Sequence, residues 1–391
     1  MSIVIIGAGP AGLRCAERLG HAGQATIVIG AEPGLPYNRV ALSQHLAGDI
    51  EEPELITHDA ERLRALRISY RAGTQVRAID REARRLTLSD GDTLPYERLV
   101  LATGSRPFRL PLPGGELPGV LMYRTLAEMR QMMAARGHAI VIGGGLLGIE
   151  AAVGLAFRGM RVTVLHGVDR LMERQLDPAA AAMLAARLRR QGIAVELNAA
   201  TIAITGPDRA TGVRLRDGRE IAADLVVMAV GIRPETQLAR DAGLAVGRGI
   251  LVDDRMITSD PLIQAIGECA EHDGQCCGLV APAFAQAETA ARHLLGEKAA
   301  YAPKVEATAL KVAGAGVWSG GDIAAPDCET LVYDDPEAGE YRKFLLRDHR
   351  LVGAVLYGHT QHAPWYTRLI GQDVRALRAI LPFGPALEQA A

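Results

Sequence analysis

Apolar positions run unbroken from Ile3 to Ile6, stop at a cluster of glycines and resume as an Ala/Leu-rich helix pattern. The order recurs at residues 140–148, IVIGGGLLG. A short continuous apolar run reads as a strand buried on both faces. Another β-branched run follows each helix, Ala25 to Ile29 and then Arg161 to Leu165. Each stretch therefore predicts a βαβ unit, and two such units imply two nucleotide-binding domains. Residues 95–102 (PYERLVLA) and 222–230 (AADLVVMAV) predict a second pair of strands. Both leave through glycine into G-x-R-P, as ATGSRP at 102–107 and AVGIRP at 229–234. Residues 103–119 are rich in Pro and Gly and read as a crossing between domains. From 304 to 380 the pattern changes to short β alternations (ETLVYDD, EYRKFLLRD, RLVGAVLYG) and then a helix near 365–380. That is the signature of a small α+β domain. The last residues, PALEQAA, are expected to fray. The predicted fold class is α/β: two Rossmann-like dinucleotide-binding domains plus a small α+β C-terminal domain.

Composition narrows the function classes. The 391 residues are 49% hydrophobic and 23% charged, which supports large cores and excludes a mostly disordered chain. No apolar run reaches the ~18 residues of a membrane helix. A net charge of −2 without a basic stripe argues against nucleic-acid and membrane partners. The N-terminal MSIVIIGAGPAG lacks the basic n-region and cleavage site of a leader, so the expectation is a cytoplasmic protein. Five cysteines make no disulfide framework. Cys269, Cys276, Cys277 and Cys328 have no cluster or zinc spacing, and no metal site is expected. Lysine is confined to Lys298, Lys304, Lys311 and Lys343.

Gly7, Gly9 and Gly12 form G-x-G-x-x-G directly after a strand and at a helix start. The first glycine makes the tight turn, the second admits a pyrophosphate, and the third lets helix and strand pack closely. The helix N-terminus then meets the phosphate charge. Glu32 follows Gly12 by 20 residues at the end of the second strand, where a carboxylate accepts from an adenosine ribose. Pro10 and Ala11 inside the motif resemble FAD sites more than NAD sites. Ala102, Thr103 and Gly104 fit the strand end that lies near a flavin in FAD enzymes of this architecture. Ile266-Gly267-Glu268-Cys269-Ala270 is the third such element, with Glu268 where a carboxylate binds the ribityl chain or is simply a buried turn acid.

Gly143, Gly145 and Gly148, with Leu146 and Leu147 between them, repeat the fingerprint. At the ribose-acid position stands His166, 18 residues after Gly148. No Asp or Glu stands there for a 2′-hydroxyl, and no Arg cluster for a 2′-phosphate beyond Arg170 and Arg174. NADH and NADPH both remain open. A neutral His leans toward NADH, and His166 can equally be a plain strand-end residue. Glu150, on the first turn of the helix, is expected at the groove where nicotinamide meets flavin, or else as an acid facing the helix dipole. Gly231 ends the matching AVG strand.

With these motifs in place the chain resembles the two-dinucleotide-fold FAD/NAD(P)H reductases, the class of glutathione reductase and rubredoxin reductase. Within it, the chain is similar to the FAD-binding N-terminal part of assimilatory nitrite reductase large subunits and to nitrate reductase electron-transfer subunits. LPYNRVALSQHL (35–46), ATGSRP (102–107), IGGGLLGIEAA (142–152), LMERQLD (171–177), IGECAEHDG (266–274) and GLVAPAFAQAE (278–288) carry the likeness. It extends through LKVAGAGVWSGGD and RLVGAVLYG into the C-terminal segment. The resemblance implies an FAD domain at 1–112 and 235–302, an NAD(P)H domain at 113–234, and a domain at 303–391 for dimerisation or acceptor docking. It places Arg39 and Ser43 along FAD, Glu268 at the ribityl chain, and the 278–282 segment, with Val280 and Ala281, as a helix N-terminus near the flavin N1–C2=O edge. A helix N-terminus there stabilises the negative charge of a reduced flavin.

Departures from the class pattern matter as well. Disulfide reductases carry a C-x4-C pair in the first helix, where only Cys15 stands, and single-cysteine relatives have Cys where this chain has Pro33. Thiol-based chemistry is disfavoured, and a redox pair at Cys276-Cys277 is a minor reading. Gln44 replaces the Lys found after Ser43 in many relatives, so a cationic partner for Glu150 would be an Arg, with Arg39 as a candidate. The expected activity is hydride transfer from NADH, or NADPH, to FAD, then electron transfer to a separate acceptor protein. The expected acceptor is the catalytic subunit of a nitrate or nitrite reductase, or a small iron–sulfur protein. Nitrite reduction itself is not expected within these residues. A rubredoxin- or ferredoxin-type reductase, an NADH oxidase and an NADH-responsive binding protein are the alternatives. In the last, His359, His362, Trp365 and Tyr366 would mark a partner surface. A homodimer is compatible with all of them.

Overall fold

Strands whose residues are buried on both faces need a parallel sheet covered from two sides. The computed structural model, which describes residues 2–303, 307–312 and 314–385, contains two such sheets. The chain divides into two compact units, residues 1–45, 49–107 and 232–304, and residues 46–48, 108–231 and 305–391.

In the first unit, five parallel strands run in the spatial order Ile263–Ala265, Arg98–Leu101, Ile3–Ile6, Thr26–Ile29 and Ile68–Arg71. The order reverses direction beside Ile3–Ile6, the point at which open α/β sheets bind ligands beyond their strand ends. Helices Pro10–His21 and Val280–Leu294 pack on one face through Cys15, Leu19, Ala287 and Ala290. A three-stranded antiparallel meander, Val76–Asp80, Arg85–Leu88 and Thr93–Pro95, helps cover the other through Leu86 and Leu88.

The second unit repeats this plan. Its parallel sheet runs Ile193–Glu196, Arg161–Leu165, His138–Ile142, Leu225–Met228 and Val120–Leu121. A meander of Thr201–Thr205, Gly212–Leu215 and Glu220–Ala222 takes the matching place before the fourth strand. The two glycine-turn helices stop the same way. Gly23 and Gly159, at φ +80° and +82°, adopt the left-handed conformation that ends a helix cheaply only at glycine.

The second unit also holds a five-stranded antiparallel sheet, Ala307–Val312, Ala315–Gly321, Arg350–Gly358, Glu340–Arg347 and Glu329–Asp335, with Phe344, Leu356 and Tyr366 in its core. Asp177 joins this sheet to a helix of the parallel layer. It caps helix Pro178–Arg190, accepts from the Tyr341 hydroxyl at 2.7 Å, and lies 3.5 Å from Lys343 Nζ. Burial, and then the Asp177 carboxylate, push the Tyr341 hydroxyl above its ordinary pKa.

Two local expectations are modified. The helix near 365–380 is only Ala363–Leu369, followed by a 3-10 turn at Arg375–Leu377. Gly371, at φ +81°, ends it by donating to the Leu351 carbonyl at 2.7 Å. The two G-x-R-P exits, Ser105–Pro107 and Ile232–Pro234, pair with each other as an antiparallel ribbon. Glu150 is the fifth residue of helix Leu146–Phe157 and so opens its second turn, because Gly145 and not an earlier residue is the cap. Residues 386–391 of the terminal stretch expected to fray lie outside the described residues.

Candidate functional site

Gly7 leaves its strand at φ +117°, and a Cβ there would overlap the carbonyl oxygen of Ala102. A Cβ on Gly12 would overlap the carbonyl oxygen of Gly7. Nothing lies within 4 Å of a Cβ on Gly9. The first and third glycines are thus demanded by the chain packing on itself, and the second borders open space suited to a pyrophosphate. Gly9 caps helix Pro10–His21 with no side-chain hydrogen bond, and Pro10 occupies the first helical position, where a missing N–H costs nothing. No cap side chain takes the N–H groups of the first turn, Ala11 and Gly12 among them, which suits them to an anion.

At the end of the second strand, Glu32 accepts from the Tyr37 hydroxyl at 2.7 Å and pairs with Arg39, whose guanidinium lies 5.5 Å from the Tyr37 ring centre. Arg39 is therefore bound to Glu32 and already holds a carboxylate partner. A carboxylate has about four acceptor positions, so Glu32 retains capacity for a ribose hydroxyl. A Cβ on Gly30 would meet the Tyr70 hydroxyl at 2.5 Å.

The Ala102–Gly104 corner is held by the returning chain. The Thr103 hydroxyl donates to the Glu235 carbonyl at 2.8 Å, and Glu235 N–H donates to the Gly104 carbonyl at 2.9 Å. Beside it, the Ser105 hydroxyl donates to Glu268 at 2.7 Å. Gly267, at φ +77°, donates its N–H at 2.8 Å to the buried Gln286 of helix Val280–Leu294. This ties the Glu268 turn to the helix whose N-terminus begins at Val280 and Ala281. Ser43 only donates to the Val40 carbonyl at 3.4 Å. A cavity of about 550 Å³ in this unit borders Pro10, Tyr37, Val40, His58, Val280 and Phe284.

The second glycine turn repeats the first at its three fingerprint glycines. Gly143 has φ +119°, and its Cβ would overlap the Ala229 carbonyl oxygen. A Cβ on Gly148 would overlap the Gly143 carbonyl oxygen, and one on Gly145 meets nothing within 4 Å. Gly145 caps helix Leu146–Phe157 without a side-chain bond. Leu146 is half-buried, Leu147 exposed and Glu150 half-buried. Gly231, at φ +111°, accepts from Phe108 N–H at 2.8 Å. The ribose end differs. His166 Nδ1 accepts the Gly144 N–H at 3.0 Å, and its Nε2 lies 3.1 Å from Glu173.

Sequence reasoning missed Ser105, Tyr37, Tyr70, Gln286 and Glu173 as partners. Tyr37, Ser105, Gln286 and Glu173 stand in stretches that carry the family likeness, but nothing local says what they touch. Among the described residues no cysteine is joined in a disulfide. Burial, and then Glu288, push the Cys15 thiol up to about 12, which keeps it protonated and poorly nucleophilic. Burial raises Cys269 and Cys276 as well. Among the described residues no group of three potential metal ligands occurs, and no helix is long and apolar enough to cross a membrane.

The family model of the pyridine nucleotide-disulphide oxidoreductases matches residues 1–293. The chain belongs to this family. It is an FAD-dependent NAD(P)H oxidoreductase, and the two glycine turns fit FAD and NAD(P)H as its cofactors. The model of the rubredoxin NAD+ reductase C-terminal domain matches residues 307–374. The chain is 42% identical over 365 residues to a nitrite reductase (NAD(P)H) of Bacillus subtilis, over 91% of this chain and 45% of that protein. It is 39% identical over 368 residues to the assimilatory nitrate reductase electron transfer subunit of Bacillus subtilis, over 92% of this chain and 48% of that protein. The chain thus spans about half the length of these relatives. Among solved structures, the ferredoxin reductase for the CYP199A2 system of Rhodopseudomonas palustris matches with TM-score 0.84 and 31% identity, over 91% of both chains.

Proposed function

We propose that the chain is an electron-entry module of nitrate or nitrite assimilation in the cytoplasm, carrying electrons from NADH to a separate catalytic component. The observation that carries this reading is the duplicated glycine turn: one chain offers two dinucleotide cradles of the same backbone geometry and different ribose ends. The 42% and 39% identities to the Bacillus subtilis proteins support the choice of acceptor. On this reading residues 1–112 and 235–302 bind FAD, 113–234 bind the nicotinamide nucleotide, and 303–391 serve dimerisation or acceptor docking.

FAD, when bound, supplies hydride acceptance and one-electron release, and the protein supplies alignment and electrostatics. Gly7, Gly9 and Gly12 form the cradle for its pyrophosphate, and Glu32 takes the ribose. Glu268, oriented by the Ser105 hydroxyl, takes ribityl hydroxyls. The N-terminus at Val280 and Ala281 favours negative charge on the ring. In the second unit, the turn from Gly143 to Gly148 and the neighbouring Gly231 hold the nicotinamide dinucleotide, with Glu150 assigned to its nicotinamide end. No side-chain nucleophile is required, in keeping with the protonated Cys15.

An anaerobic titration of the purified holoprotein with NADH tests the reading. Stoichiometric bleaching of flavin absorbance is expected, followed by reoxidation on adding the nitrate or nitrite reductase component. A flavin that ignores both NADH and NADPH would overturn it. A ferredoxin as acceptor is the second reading, favoured by the 31% identity to the Rhodopseudomonas palustris reductase, and faster reoxidation by a ferredoxin would select it.

A further inference from the structure

A nucleotide-binding βαβ unit that selects NADH ordinarily keeps a carboxylate at the end of its second strand, as the acceptor for the adenosine 2′-hydroxyl. Here the strand Arg161–Leu165 ends on His166, and the carboxylate comes from seven residues further on. His166 Nδ1 takes the Gly144 N–H, so the ring carries its proton on Nε2 and presents it to Glu173 Oε2 at 3.1 Å. The loop that brings Glu173 is seated on the glycine turn. Leu171 and Met172 are fully buried, and Met172 N–H donates to the Gly144 carbonyl at 2.9 Å. Met172 then accepts from the N–H groups of Gln175 and Leu176, both at 2.8 Å. Met172 is held at φ +49°, a left-handed conformation uncommon for such a residue, which the burial of its side chain sustains. Gly144 has no room for a Cβ, because the His166 ring and Leu171 Cδ2 occupy that space. The turn, the ring and the loop thus form one packed unit, with the Glu173 side chain 38% exposed at its edge.

We propose that Glu173, oriented by His166, is the acceptor for the adenosine 2′-hydroxyl and makes the protein select NADH over NADPH. The proposal rests on the reading that the second glycine turn binds a nicotinamide dinucleotide. Glu173 keeps its second carboxylate oxygen for the hydroxyl, and its charge opposes a 2′-phosphate. Of the two arginines that could welcome a phosphate, Arg174 is exposed, and Arg170 pairs with Asp169 at 3.0 and 3.3 Å. Its Nε–H is buried without a partner, which makes Arg170 the rival to test.

The experiment is calorimetric binding of ADP-ribose and of 2′-phospho-ADP-ribose to the oxidised holoprotein, which needs no turnover. The unmodified protein is expected to bind ADP-ribose at least about tenfold more tightly. Glu173→Gln should bring the ratio close to one, with flavin spectrum and melting temperature unchanged. A tenfold preference that survives in E173Q would overturn the role of Glu173. Equal or tighter binding of the phosphorylated analogue by the unmodified protein would do the same, and its loss in R170A would assign the pocket to NADPH. Failure of either analogue to bind a flavin-loaded protein would instead overturn the nucleotide assignment of the second unit, and this proposal with it.

Discussion

The two glycine turns share a backbone and diverge in their side chains. Gly7 and Gly143 have φ values of +117° and +119°, and each is pinned against a carbonyl oxygen just past the neighbouring parallel strand, Ala102 after Arg98–Leu101 and Ala229 after Leu225–Met228. Where the first helix carries Arg14, Cys15 and Glu17, the second carries Glu150, Ala151 and Val153. At the ribose end one unit sets Glu32 among Tyr37 and Arg39, and the other sets His166 against Glu173. On the proposed function, backbone geometry answers to the pyrophosphate common to both dinucleotides, while side chains answer to what distinguishes them.

The sharpest way to break the equivalence is to fill each turn separately. Gly12→Val and Gly148→Val place a side chain onto a carbonyl oxygen, and each should cost about 3 kcal/mol or more. The first is expected to yield protein without flavin, if it folds. The second should retain flavin and lose nucleotide-induced bleaching. Gly9→Ala and Gly145→Ala meet open space, so melting temperature should hold while dinucleotide affinity falls. Flavin content and thermal melts read all four. Equal tolerance at the third and second glycines would contradict the division of labour described here.

A smaller asymmetry is the tie from a helix of the second unit's parallel layer to the C-terminal sheet. Asp177→Ala removes a helix cap and the charged acceptor of Tyr341, for an expected loss of about 3 kcal/mol. Asp177→Asn keeps the cap and should lose less. Urea denaturation followed through the fluorescence of Trp318 in that sheet and Trp365 on helix Ala363–Leu369 would measure both, and a loss in D177N as large as in D177A would refute the capping share.

The smallest expected effect belongs to the first unit alone. Glu17, where the second helix has Val153, is held down to about 2 by the hydrogen bond from His58 and then by Arg62. A carboxylate with a depressed folded-state pKa contributes stability that is present above about pH 4.5 and lost as pH falls toward 2. Its share is on the order of 2 kcal/mol. Glu17→Gln should flatten the acid limb of the stability profile in that window and leave the profile above pH 6 parallel to that of the parent. An unchanged acid limb would remove Glu17 from the account.

Much of this molecule was legible one segment at a time. The strands Ile3–Ile6 and Arg161–Leu165, both glycine turns and the Glu32 and His166 positions follow from local rules, because a turn that clears a carbonyl or admits a phosphate constrains residues a fixed distance apart in the chain. Family membership was legible for the same reason. What tertiary structure decided is which side chains meet. Ser105 reaches Glu268 across 163 residues, Tyr341 reaches Asp177 across 164, and the two G-x-R-P exits pair as a ribbon although more than 100 residues separate them. Glu173 turns back to His166 only because Leu171 and Met172 are buried against the second glycine turn. Such meetings depend on how sheets and loops pack, which no local spacing encodes, and they set the strand-end side chains that differ between the two units.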